Sequence, residues 1–175
     1  PQQVRQLGLA YVPEERMRDG AIGEFTVAEN LMLVDYVAPP FTQRGLLNAT
    51  AIEQRSGELI DGYGVKTPTM HTPTRHLSGG NIQKVVIARE FSSSSDALVV
   101  AQPTRGVDIG AAEYIHERLL EQRSSGSAIL LISEDLDEIM QLSDRIIVVL
   151  EGEIMGEVSR ADATVKDIGL LMAGV

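Results

Sequence analysis

The sequence predicts an α/β fold, a parallel sheet core with helical stretches before and after its strands, on three observations. Ala97–Ala101 and Ala128–Ile132 are unbroken apolar runs of strand length, each followed by a helical stretch, and continuous apolarity suits parallel strands covered on both faces. Before them lie two helix patterns, one opening at Thr26 with Glu29 three residues on, the other spanning Ala51 to Asp61. Between the two groups stands Leu77-Ser78-Gly79-Gly80-Asn81, ahead of an apolar-periodic run that contains Ile82, Val85 and Val86.

In chain order, Leu7 to Val12 reads as a strand closed by Pro13, and Pro13 to Gly20 as a charged loop. Thr26 and Glu29 form a capping box for a helix running to about Tyr36, which Pro39-Pro40 stops. The second helix carries Ile52, Leu59 and Ile60, and the Thr/Pro-rich segment from Thr67 to Thr74 is irregular. Ser78 is placed as the N-cap of a helix ending near Phe91, with a turn from Ser92 to Ser95. Asp108 is placed to cap the helix with Tyr114, Ile115, Leu119 and Leu120, and Ser133 the one with Leu136, Ile139 and Met140. Arg145 to Leu150, Glu151-Gly152 and Glu153 to Val158 read as a strand and its hairpin return, and a helix from Thr164 to Met172 closes the chain.

With 175 residues and 43% hydrophobic content, the chain can bury a core as one compact domain or two small lobes. Its net charge of −10 argues against nucleic acid or an anionic membrane surface as the main partner. The absence of cysteine excludes disulfides and thiolate metal sites. No apolar run approaches the roughly 18 residues of a membrane span, so membrane association is expected to go through a partner. His71, His76 and His116 lack metal-ligand spacing, and no metal site is expected among them. The sequence opens at Pro1 without a Met, in mid-pattern, which reads as a piece of a longer chain.

The chemistry sits at Ser78 to Asn81. A helix start presents unpaired backbone N–H groups and the positive end of the helix dipole, and glycines let an anion approach the main chain. A nucleotide phosphate fits that description, and so does a capped surface helix without a ligand. The full string Leu77-Ser78-Gly79-Gly80-Asn81, with Gln83-Lys84 and Ala88-Arg89, resembles the signature motif of the ATP-binding cassette (ABC) ATPases. Thr104 to Asp108 is similar to that family's D-loop, Gly8 to Glu14 to its Q-loop strand, Thr26 to Leu31 to the start of its helical subdomain, and Leu130 to Ser133 to the strand before its switch histidine. These resemblances run in the family's order along nearly the whole chain. They imply a partial P-loop NTPase core of RecA-like, ABC type at 1–25 and 92–175, with a helical subdomain at 26–91.

The sequence also departs from the family's pattern. A P-loop needs Gly-Lys followed by Ser or Thr, but Lys66, Lys84 and Lys166 follow Val, Gln and Val. The resemblance therefore places the P-loop before Pro1. Where the family ends its Walker B strand in Asp-Glu, Ala101 and Gln102 stand here. An alanine cannot hold the water shell of Mg²⁺, and a glutamine amide cannot take a proton from water, which costs about 10²- to 10⁴-fold in rate. Without the motif context the same residues read as a buried strand and its polar end. Glu134 stands where the γ-phosphate-sensing histidine is common; as a carboxylate facing phosphate would be repelled, an acid complementing the helix dipole is the better reading. Glu14, at the Q-loop Gln position, reads equally as a loop acid or as a group near metal or water.

In the family two cassettes pair head to tail, each ATP lying between one P-loop and the other's signature. The resemblance thus implies that Ser78, Gly79, Gly80 and Asn81, with Asp108 at the D-loop, serve an ATP held by a partner, while Ala101 and Gln102 belong to this domain's own site. The variant LSGGN, Ala101 to Ala111 and Ser133 to Ile139 most resemble the second half of tandem ATPase subunits of simple-sugar and nucleoside importers. That implies ATP and Mg²⁺ in the intact assembly and neither bound to this piece alone, with hydrolysis in the parent subunit and none here. The implied partners are the first cassette of the same subunit, transmembrane permease subunits and, indirectly, a substrate-binding protein, and the implied location is peripheral, on the cytoplasmic face of the inner membrane. Self-association of the isolated piece is expected to cover apolar surface. The alternatives are a non-hydrolysing regulatory or interaction cassette and a soluble ABC ATPase not tied to transport.

Overall fold

A computed structural model describes residues 2–93 and 95–174, which form two compact units, Pro1–Leu130 and Leu131–Val175. Ser94, inside the expected 92–95 turn, lies outside the described residues.

The first unit runs α1 (Gln2–Gln6), β1 (Leu9–Val12), a wide helical turn at Arg16–Gly20, α2 (Val27–Met32), a small hairpin of β2 (Thr42–Gln43) and β3 (Leu46–Leu47), α3 (Ala49–Gly62), α4 (Gly79–Phe91), β4 (Ala97–Ala101), α5 (Ile109–Ser124) and the start of β5 (Ala128–Ile132). β1 pairs with β4 in parallel, Leu9 opposite Ala97 through Val12 opposite Val100, and β5 flanks β4 on its other edge. The expected parallel α/β core is therefore present. β1 is shorter than the apolar run suggested, because Leu7 and Gly8 turn the chain out of α1. The charged stretch after Pro13 is a helical turn in part, with the N–H of Asp19 donating to the carbonyl of Glu15 at 2.8 Å.

α4 is the centre of this unit. From Ile82 to Phe91 every residue but Lys84 is buried, so the helix is enclosed on nearly all sides where the sequence suggested an apolar stripe. Val85 and Ala88 pack with Val27, Leu31 and Met32 of α2, Leu59 of α3 and Val65. Each large apolar side chain buried this way contributes about 1.5–3 kcal/mol. The polar members are paired: Glu90 accepts from Arg5 at 2.9 and 3.0 Å, from Arg89 at 2.8 Å and from the N–H of Tyr11 at 3.4 Å, joining α1, β1 and α4.

α2 opens with the expected capping box, Thr26 Oγ1 accepting from the Glu29 N–H and Glu29 accepting from the Thr26 N–H. It stops at Met32 rather than near Tyr36, where the backbone continues in turns. Val34, Asp35, Tyr36 and Val37 are weak helix formers, which accounts for the early end.

The second unit holds the end of β5, α6 (Leu136–Leu142), the β6–β7 hairpin (Arg145–Leu150, Glu153–Ser159) and α7 (Val165–Met172). Ile146, Val148, Ala163 and Ile168 form its core. The N-cap of α6 is Asp135, whose carboxylate accepts from the N–H groups of Asp137 and Glu138, while Ser133 sits outside and accepts from Asp135. This corrects the cap expected at Ser133: a charged acceptor serving two donors is stronger than a hydroxyl. β5 also differs from expectation, since Ala128, Leu130 and Ile132 are exposed along it.

Candidate functional site

The start of α4 is built by its caps. Ser78 is extended, and its Oγ faces the N–H of Asn81 while accepting from Asn81 Nδ2 at 2.9 Å. Asn81 Oδ1 in turn accepts from the Lys66 N–H at 2.8 Å. The Asn81 amide is thus held at both ends, which fixes the turn around Ser78. N–H groups in a first helical turn have no carbonyl upstream to bond, so those of Gly79 and Gly80 point out with the positive end of the helix dipole behind them. Ser78 itself is exposed.

Both glycines stand at close approaches. A Cβ on Gly79 would lie 2.7 Å from Arg16 Nη2, and one on Gly80 would lie 3.2 Å from the Cβ of Ala111, at the start of α5. The second contact brings the beginnings of α4 and α5 together. Asp108 caps α5, accepting from the Ala111 N–H at 2.9 Å, and its other carboxylate oxygen would lie 3.5 Å from a Cβ on Gly80. The signature-like turn and the D-loop-like segment are therefore neighbours within one unit.

The segment from Ala101 to Asp108 is tightly turned. Ala101 ends β4 with a buried methyl group, and Gln102 is left-handed at φ 48°. Arg105 and Val107 donate to the carbonyls of Gln102 and Thr104 at 3.2 and 3.3 Å, and Gly106 takes φ 65°, a conformation that favours glycine. Glu14 pairs with Arg105, and Glu15 lies 4.0 Å from the same guanidinium. Glu14, Ser78 to Asn81 and Asp108 thus come together, with Ala101 and Gln102 at the head of the same turn. Glu134 lies in the second unit, exposed, just ahead of α6.

One residue of the site was not singled out in the sequence. Arg16 Nη1 donates to the Arg105 carbonyl at 2.6 Å and Nη2 to the Gly106 carbonyl at 3.1 Å, beside Gly79. Its partners are nearly ninety residues away in sequence, and an arginine in a charged loop carries no local pattern that would reveal them. Among the described residues no three His, Cys, Asp or Glu side chains gather as a metal cluster. No described helix is long and apolar enough to cross a membrane.

No family model matches the chain. Among curated proteins it is 42% identical over 174 residues to the guanosine import ATP-binding protein NupO of Bacillus subtilis (strain 168), covering 99% of this chain and 34% of that protein. It is 44% identical over 174 residues to the nucleoside import ATP-binding protein NupA of Lactococcus lactis subsp. cremoris, again covering 99% of the chain and 34% of the relative. The chain spans about a third of the length of these relatives. Among solved structures it superposes on a dimeric ATP-binding cassette in a post-hydrolysis state, bound to ADP and Pi, with a TM-score of 0.74 and 23% identity over 90% of this chain and 65% of that one. A structure described as the ATP binding subunit of an ABC transporter gives a TM-score of 0.74 and 22% identity over 99% and 71% of the two chains.

Proposed function

From a chain that belongs, by fold and by sequence, to the ATP-binding cassette ATPases, we propose a division of labour between two cassettes of an importer subunit. This chain is the second cassette; it offers Ser78, Gly79, Gly80 and Asn81, with Asp108 beside them, to an ATP whose phosphates and Mg²⁺ are held by the first. Its own composite site lacks the acids that would orient Mg²⁺ and accept a proton from water, because Ala101 ends β4 and Gln102 follows it.

The observation that carries this reading is the contrast between two parts of one unit. At the α4 start, N–H groups, two glycines and an ordered Asn81 amide are arranged to meet an anion. At the β4 end there is a buried methyl group in place of a carboxylate. The guanosine and nucleoside import functions in the relatives' names support nucleosides or simple sugars as the parent's cargo, and ribose import by a further relative, 38% identical, supports the same range. The stretch 26–91 is the lobe that faces permease subunits in this reading, with the protein peripheral on the cytoplasmic side.

The test is calorimetric titration of MgATP into the chain alone and into the chain mixed with a first cassette that carries a P-loop. The expected outcome is no binding alone, and affinity in the mixture above that of the first cassette by itself. Ser78→Arg, which puts a bulky side chain at the cap, is expected to abolish that gain. Tight binding by the chain alone sinks the proposal, and a mixture indifferent to Ser78→Arg leaves the chain as an interaction cassette.

A further inference from the structure

We infer that Arg16 is a positioning residue, a brace that locks the backbone of residues 104–108 to the Ser78–Asn81 turn so that both reach a partner's nucleotide as one rigid surface. The functional half of this inference rests on the donated-signature reading; the brace itself rests on geometry. A guanidinium presents a planar fork of donors, and here two of its nitrogens take the successive carbonyls of Arg105 and Gly106 at 2.6 and 3.1 Å. Those carbonyls belong to a turn whose own bonds are long, 3.2 and 3.3 Å, and which runs through left-handed residues at 102 and 106. Arg16 and the adjacent Glu14–Arg105 pair add side-chain bonds to this turn from outside it.

Arg16 is itself anchored. Its helical turn ends at Gly20, which is buried and would place a Cβ 3.2 Å from Val86 of α4. The same guanidinium lies over Gly79, so a methyl group on the first residue of α4 would push it aside. One cation thus reaches two segments that are far from it in sequence, and the missing side chain at 79 is the space it occupies.

Amide hydrogen exchange of the chain, with Arg16→Ala, Arg16→Lys and Gly79→Ala, separates the brace from a general loss of stability. In Arg16→Ala the amides of Arg105 to Val107 are expected to exchange about tenfold faster, while those of Val85 to Ala88 keep their rates. Arg16→Lys, a point charge that cannot span both carbonyls, is expected to recover only part of the protection. Gly79→Ala displaces the guanidinium and is expected to give the same acceleration, with no further increase in the double variant. In the mixture with a first cassette, Arg16→Ala is expected to weaken ATP binding about tenfold without lowering the melting temperature of the chain. Unchanged exchange at 105–107, or effects of Arg16→Ala and Gly79→Ala that multiply, overturns the brace. Altered exchange together with ATP binding that ignores both Arg16→Ala and Ser78→Arg leaves the brace standing and removes the donated-signature reading.

Discussion

Asn30 is the residue on which the joint between α2 and the segment before α4 depends. Wholly buried, it accepts from the Ile22 N–H at 2.8 Å and donates to the Ile22 carbonyl at 2.9 Å and to Thr74 Oγ1 at 2.8 Å, with longer bonds to the carbonyls of Phe25 and Thr26. Removing the amide strands the buried Thr74 hydroxyl and takes both bonds from the Ile22 backbone, and a buried group left unsatisfied costs about 1–3 kcal/mol. Asn30→Ala is expected to destabilise the chain by about 3 kcal/mol, seen as a lower urea midpoint at unchanged slope; a loss below about 1 kcal/mol would mean that water replaces the amide. Neither role was legible in the sequence, because Arg16 bonds carbonyls of a distant turn and Asn30 bonds an irregular segment before its own helix and the distant Thr74. Ser78, Asp108 and Thr26 were legible as caps, since a cap needs only its own next few residues.

At the scale of elements, α3, α4 and α5 meet at a stack of aromatic rings and cations. Lys84 of α4 lies 4.4 Å from the ring centre of Tyr114, and the Arg118 guanidinium lies 5.0 Å from Tyr114 and 5.3 Å from Tyr63. Arg118 also donates to the Tyr114 hydroxyl at 2.9 Å and to the Gly62 carbonyl at 3.2 Å, tying α5 to the end of α3. Burial is the largest influence on both phenols and raises their pKa above the ordinary value of 10.0, against the opposing pull of Arg118. A group whose folded pKa is raised gives stability that is complete below its unfolded pKa and is lost as pH rises through the folded one. The melting temperature is therefore expected to fall above about pH 10, and Tyr63→Phe to lessen that fall; equal slopes for the two proteins would show that the joint does not sense the phenol. The elements themselves were legible where their signal is local. Ala97–Ala101 announced β4 by its apolar run, and Thr164 announced α7. The early end of α2 and the Asp135 cap were missed, because weak propensities and two competing acceptors decide them at the margin.

Taken as a whole, the chain leaves apolar strand surface open. Tyr11 of β1 is 48% exposed and Leu130 of β5 57%, although Ala10, Val12, Leu98 and Val100 of the same sheet are buried. Strands with continuous apolarity are suited to cover on both faces, and the sequence could show that suitability but not whether the cover is supplied. Concentration-dependent sedimentation is the expected result, from a second copy covering this surface; a monomer at all concentrations with a high melting temperature would contradict it. β1 and β4 are neighbours although all of 13–96 lies between them, which makes that segment, in polymer language, a loop closed by a two-strand clasp. The entropy of closing a flexible loop grows only with the logarithm of its length, about 0.6 kcal/mol per doubling. Residues inserted at Arg44-Gly45, an open turn with nothing near the Gly45 Cβ position, would thus be almost weightless to the clasp, and the ladder would keep its register.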